Sequence, residues 1–110
     1  MPVLPAPVET PFRAPEGPFD PTVQYRRADG AVAVQTEQAI YVADPLGHAI
    51  RRLNASLSIF WTLLEEPMTA AEMAEIMQEL YPDVPPAQLN SDAEQAVRFL
   101  WEKRLAVPTV

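Results

Sequence analysis

His48-Ala49-Ile50-Arg51-Arg52-Leu53-Asn54 is the stretch on which the architecture turns. It follows Asp44-Pro45-Leu46-Gly47, a strong turn signal, because proline presets φ and glycine tolerates positive φ. Residues 48–53 therefore read as the returning strand of a hairpin. Asn54 or Ser56 then caps a helix. A strand that passes directly into a buried helix suggests a small module with one free sheet edge. Such an edge is a row of unpaired backbone N–H and C=O groups with which a peptide can pair. Alternation along the stretch is poor, since Ile50 and Leu53 have opposite parity, and a bulge or an edge position accounts for that.

Working upstream, residues 39–43 supply a partner strand with Ile40 and Val42 in phase. Residues 31–35 supply another, with Val32 and Val34 on one face at period two, as in a half-buried strand. Asp29-Gly30 marks a turn, and residues 23–27 form a first extended piece. Before it, Pro2, Pro5, Pro7, Pro11, Pro15, Pro18 and Pro21 make residues 1–21 a proline-rich tail, extended or disordered. The folded domain is expected over residues 22–110.

Downstream the period changes to that of helices. In the first, to about residue 65, Leu57, Phe60, Trp61 and Leu64 share a face, and Ile59 with Leu63 lies on another. A helix apolar on most sides belongs at the centre of a domain. Pro67 stops it, and Thr69-Ala70-Ala71-Glu72 is a capping box for the second helix. Met73, Ile76, Met77 and Leu80 form the apolar stripe there. The third helix is expected over residues 87–103, with Leu89, Ala93, Ala96, Val97 and Leu100 as its core line. Residues 105–107 form a short strand or a packed tail. Strands followed by helices make an α+β domain: a three-stranded antiparallel sheet, then three helices.

Composition bounds the function. A chain of 110 residues, 48% hydrophobic and 21% charged, is one ordinary globular domain. No apolar run is long enough to span a bilayer, and no secretory signal is expected. The absence of cysteine excludes disulfides, thiolate catalysis and cysteine-based zinc sites, and it fits a cytoplasmic protein. The net charge is -7, and no Lys or Arg lies between Arg52 and Arg98, whereas Glu65, Glu66, Glu72, Glu75, Glu79, Asp83, Asp92 and Glu94 do. Nucleic-acid binding needs the opposite balance. His48 has no companion ligand for a metal, Ser56 and Ser58 have no base nearby in sequence, and the three glycines form no phosphate loop. No catalytic group and no cofactor are expected.

Leu53-Asn54, Ile59-Phe60-Trp61-Thr62-Leu63-Leu64, Met68-Thr69-Ala70-Ala71-Glu72-Met73-Ala74-Glu75-Ile76, Tyr81, Leu89-Asn90-Ser91-Asp92-Ala93, Ala96-Val97, Leu100 and Leu105-Ala106-Val107 occur in order. This set resembles the PqqD family, the precursor-peptide recognition elements of ribosomal peptide modification, over residues 32–107. Its motifs are mostly core positions, and they specify the fold more than one pathway. The resemblance implies a winged-helix-like domain. It implies that a leader peptide adds as a strand beside the third strand, in a groove closed by the third helix. It also implies a partner modifying enzyme, such as a radical enzyme with an iron–sulfur cluster (radical SAM). The expected peptide-binding residues are His48, Ala49, Ile50, Arg51, Arg52 and Leu53 on the strand, with Val97 and Trp101 on one flank of the third helix. Trp101 is either an anchor for the peptide or a core residue. His48, Arg51 and Arg52 make the edge basic, so the peptide is expected to carry acidic residues beside apolar anchors. A free edge can also pair with its own copy to give a homodimer. The competing readings are a winged-helix DNA-binding regulator using Arg98, Lys103 and Arg104, disfavoured by charge, and a scaffold partner of a kinase-like protein.

Overall fold

The computed structural model describes residues 19–47 and 49–109, so His48 and the proline-rich stretch 1–18 lie outside the described residues. In chain order the elements are β1 (Tyr25–Arg27), β2 (Val32–Gln35), β3 (Ile40–Ala43), β4 (Ile50–Leu53), α1 (Ala55–Leu63), α2 (Ala70–Leu80), α3 (Pro86–Glu102) and β5 (Ala106–Pro108). β2, β3 and β4 form one antiparallel sheet in that order, and β1 pairs with β5 in a separate ladder. The fold is the expected α+β arrangement of a three-stranded sheet followed by three helices. The β1–β5 ladder pairs Tyr25 with Pro108 and Arg27 with Ala106. It ties the two ends of the domain together; both extended pieces are legible in the sequence, but their pairing has no local signal.

The β3–β4 hairpin is built by Asp44. Its carbonyl accepts from Gly47 N–H at 2.9 Å, and its carboxylate accepts from Leu46 N–H at 2.9 Å and Ala49 N–H at 3.1 Å. Gly47 sits at φ 72°, a conformation that costs other residues more. The register then runs without interruption from Ala43 opposite Ile50 to Ile40 opposite Leu53. There is no bulge. The broken alternation of this strand is an edge effect: Ile50 points outward at 75% exposure while Leu53 enters the core.

The sheet has one covered face and one open one. Val42, opposite Arg51 and Ala33, is fully buried. Val32 and Val34 stand opposite Ala43 and Tyr41, on the other face, and are 60% and 57% exposed. The expectation that they are half-buried is overturned. Their period-two spacing is real, but the helices pack on the side that Val42 and Leu53 present.

Asn54 is the α1 cap, accepting from Leu57 N–H at 2.8 Å. Phe60, Trp61 and Leu64 are buried, with Leu57, Ile59 and Leu63 packed against the same core. The Thr69–Glu72 capping box is present, with Thr69 N–H on the Glu72 carboxylate at 2.8 Å and Glu72 N–H on the Thr69 hydroxyl at 3.1 Å. Met73, Ala74 and Met77 carry α2 into the core, but Leu80 is 60% exposed, because the helix has passed the edge of the core by its last residue. All five expected core residues of α3 are buried. α3 ends with Leu105 N–H on the Leu100 carbonyl at 2.8 Å and Arg104 N–H on the Trp101 carbonyl at 3.0 Å, a Schellman closure with Arg104 at φ 64° where glycine is usual. Each fully buried Val, Leu or Met side chain of this cluster contributes roughly 1.5–3 kcal/mol relative to exposure.

Candidate functional site

β4 has β3 on one side and, among the described residues, no strand on the other. The hydrogen bond from Asp44 N–H to the Ala49 carbonyl sets the phase of the ladder. In an antiparallel pair, alternate residues direct both backbone groups at the partner. Arg51 and Leu53 therefore bond to Val42 and Ile40, and the N–H and C=O of Ile50 and Arg52 point to the open edge. The same phase follows independently from the β2–β3 side, where Thr36 N–H donates to the Ala39 carbonyl. Ala49, also expected in the site, is held by Asp44 at both backbone groups and is spent on the turn.

The sequence treats Arg51 and Arg52 as one basic patch, but the structure separates them. Arg52 shares the outward face with Tyr41 and is exposed. Arg51 shares the inward face with Val42 and Leu53 and is half-buried, and its Nε is buried without a hydrogen-bond partner. Parity with Leu53 is the signal that distinguishes them. The outward face carries Val32, Val34, Tyr41 and Ile50 beside Arg52, an exposed apolar surface that the sequence reading missed.

On α3, Val97 is fully buried and joins Leu53 in the core cluster. Trp101 is half-buried, and its ring lies 5.4 Å from that of Phe19, which in turn stacks on Tyr25 at 5.5 Å. Phe19 belongs to the segment read as tail, yet it packs on the body of the domain. The basic end of α3 is engaged locally: Arg98 pairs with Glu102 at 3.4 Å and Lys103 lies 5.6 Å from the Phe99 ring centre.

A concavity of about 480 Å³ lies between the β2–β3 connection and α1, lined by Gln38, Ile40, Ile59, Leu63 and Leu80 among others. Among the described residues, no cluster of three or more His, Cys, Asp or Glu is placed to hold a metal ion. No helix among them is long and apolar enough to cross a membrane.

A three-stranded sheet with an open edge strand, feeding a capped and buried helix, defines an α+β module whose most prominent feature is backbone offered for pairing. The chain belongs to the PqqD family: the family model described as coenzyme PQQ synthesis protein D matches residues 32–106. Three solved structures share the fold. TbiB1 in complex with the TbiA(beta) leader peptide aligns at a TM-score of 0.66 and 22% identity, covering 74% of this chain and 93% of that one. Lasso peptide synthetase B1 complexed with the leader peptide aligns at 0.66 and 20% identity, covering 76% and 98%. The PqqD truncation of Methylobacterium extorquens PqqCD, a stand-alone recognition element for ribosomally synthesised and post-translationally modified peptides, aligns at 0.65 and 20% identity, covering 82% and 95%. No curated protein matches the sequence.

Proposed function

We propose that this chain is a non-catalytic peptide-binding chaperone. It captures the leader of a ribosomally made precursor as a fourth strand on β4 and presents it to a modifying enzyme. The observation that carries this reading is the open β4 edge, with Ile50 and Arg52 offering backbone donors and acceptors beside an inward face closed by the core. Added strands gain affinity from main-chain hydrogen bonds and specificity from alternate side chains. Two of the structures that share the fold are complexes with leader peptides. Of the expected residues His48, Ala49, Ile50, Arg51, Arg52, Leu53, Val97 and Trp101, the proposed contacts are Ile50, Arg51, Arg52 and Leu53 with Trp101 on the α3 side; Ala49 is committed to the turn, and His48 lies outside the described residues. Val97, being fully buried, supports the site only through the core beneath it, and the half-buried Trp101 supplies the aromatic contact.

In this reading the chain holds no cofactor of its own and works in the cytoplasm. The hard chemistry falls to the receiving enzyme, of the radical iron–sulfur class that the family resemblance implies. A second copy of the chain competes for the same edge, so dimer and peptide complex exclude each other. Nitrogen-15 NMR titration with leader peptides encoded beside the gene tests the proposal. The Ile50, Arg51, Arg52 and Leu53 amides and the Trp101 indole are expected to shift together. Shifts confined to the helical surface, with β4 unmoved, would overturn it.

A further inference from the structure

Resting on that reading, we infer that Arg51 is the specificity determinant of the edge, a subsite that takes a carboxylate from the guest peptide. The two arginines of β4 are set apart by the pleat. Arg52 points outward into solvent. Arg51 points inward, opposite Val42, and its Nε is buried with no acceptor among the described residues. Other arginines of the domain are provided for. Arg27 donates from Nε and Nη2 to the Trp61 carbonyl at 3.1 and 2.8 Å, Arg26 reaches Asp29 at 3.0 Å, and Arg98 reaches Glu102 at 3.4 Å. Arg51 as a whole is only half-buried, so its guanidinium is not closed off from a guest, and the unpaired Nε is a cost that an acceptor on a guest strand would relieve.

The open edge is where that acceptor arrives. The Arg51 backbone is committed to β3, so a guest strand meets Arg51 at a non-hydrogen-bonded position. In an antiparallel pair this is the closer of the two spacings between facing residues. A guest side chain directly opposite shares the inward face with Arg51. A carboxylate there meets the guanidinium in the planar, forked geometry that arginine satisfies and lysine does not. The next guest side chain on that face, two residues along, faces Leu53, which is in the core, so an apolar group suits it. The guest residue between these two faces Arg52, the one on the other side of the Arg51 partner faces Ile50, and both are on the solvent side of the sheet. The edge therefore selects a period-two pattern, with an Asp or Glu two residues from an apolar residue. The outward Arg52 tunes encounter and sets no register.

Panning a phage-displayed library of random short peptides on the full chain, and on its Arg51→Met, Arg51→Glu and Arg52→Met variants, tests the inference. Pools selected on the natural sequence are expected to converge on an acid at one fixed spacing from an apolar residue. Arg51→Met should retain the apolar preference and lose the acid, Arg51→Glu should exchange the acid for Lys or Arg, and Arg52→Met, which removes the outward charge only, should leave the spacing of the acid from the apolar residue in place. Replacing the selected Glu by Gln in the peptide should weaken binding about ten- to a hundredfold on the unaltered protein and hardly at all on Arg51→Met. The peptide exchange on the unaltered protein stands even if an Arg51 variant fails to fold. Selected peptides that shift the β4 amides but show no acid preference, or keep it on Arg51→Met, would overturn the subsite and leave strand addition standing. Selected peptides that leave the β4 amides unmoved, or a library without binders, would overturn both.

Discussion

β2 and β4 are the two edges of one sheet, each pairing with β3 through four residues, yet they are different surfaces. Both offer unpaired backbone. On β2 all four residues are exposed, and the side chains on the Val42 face are only Ala33 and Gln35. On β4 the corresponding face carries Arg51 and Leu53, the strand ends in the core, and the Asn54 cap of α1 follows its last residue directly. A guest strand beside β2 would add hydrogen bonds with little to cover its side chains. Beside β4 it would add the same bonds and bury alternate side chains against the helical layer. Backbone availability is thus common to both edges, and the covering of one face distinguishes the proposed binding edge from the other.

The widest separation should appear in stability. Leu53→Ala is expected to cost about 2–5 kcal/mol in urea unfolding, by lost burial and the cavity left behind. Val34→Ala should stay within about 0.5 kcal/mol. Equal costs would abolish the distinction between the edges. Next comes proline at the outward-facing N–H of each edge. Arg52→Pro should weaken peptide binding by about 1–3 kcal/mol, since a guest carbonyl loses its donor, while Ala33→Pro should leave affinity unchanged by calorimetry. A reversal would move the site to β2. Asn54→Ala should lower stability by about 1 kcal/mol through loss of the α1 cap, and faster hydrogen exchange at Leu53 would show that the cap also anchors β4. Smallest is Arg52→Gln, expected to change affinity by less than about 1 kcal/mol but to flatten the dependence of association rate on salt. A large loss there would mean that the outward arginine, and not Arg51, reads the peptide.

Much of this was legible from local chemistry. Asp44-Pro45-Leu46-Gly47 announced its turn, Thr69 and Glu72 announced their box, and Leu89, Ala93, Ala96, Val97 and Leu100 lie on α3 in the order the helical period requires. Broken alternation over residues 48–53 left a bulge and an edge position both open, and the uninterrupted register shows the second, since an edge strand can leave Ile50 outside without penalty to the core. Val32 and Val34 were misread because alternation reports that a strand has two faces and not which one is covered. Leu80 was misread because a stripe carries no mark where the core beneath it ends. Phe19 was assigned to a tail because nothing in the surrounding prolines indicates Trp101 and Tyr25 as neighbours.

By itself the sequence determined the elements, their caps and turns, the core line of α3, the absence of cysteine and the lack of any Lys or Arg between Arg52 and Arg98, because these depend on composition or on residues within a few positions of one another. Only the tertiary structure decided which sheet face the helices cover, that β1 and β5 pair, and that Arg51 and Arg52 have opposite environments. Those outcomes depend on contacts between segments far apart in the chain, and side-chain parity becomes burial or exposure only when a second layer has chosen its side.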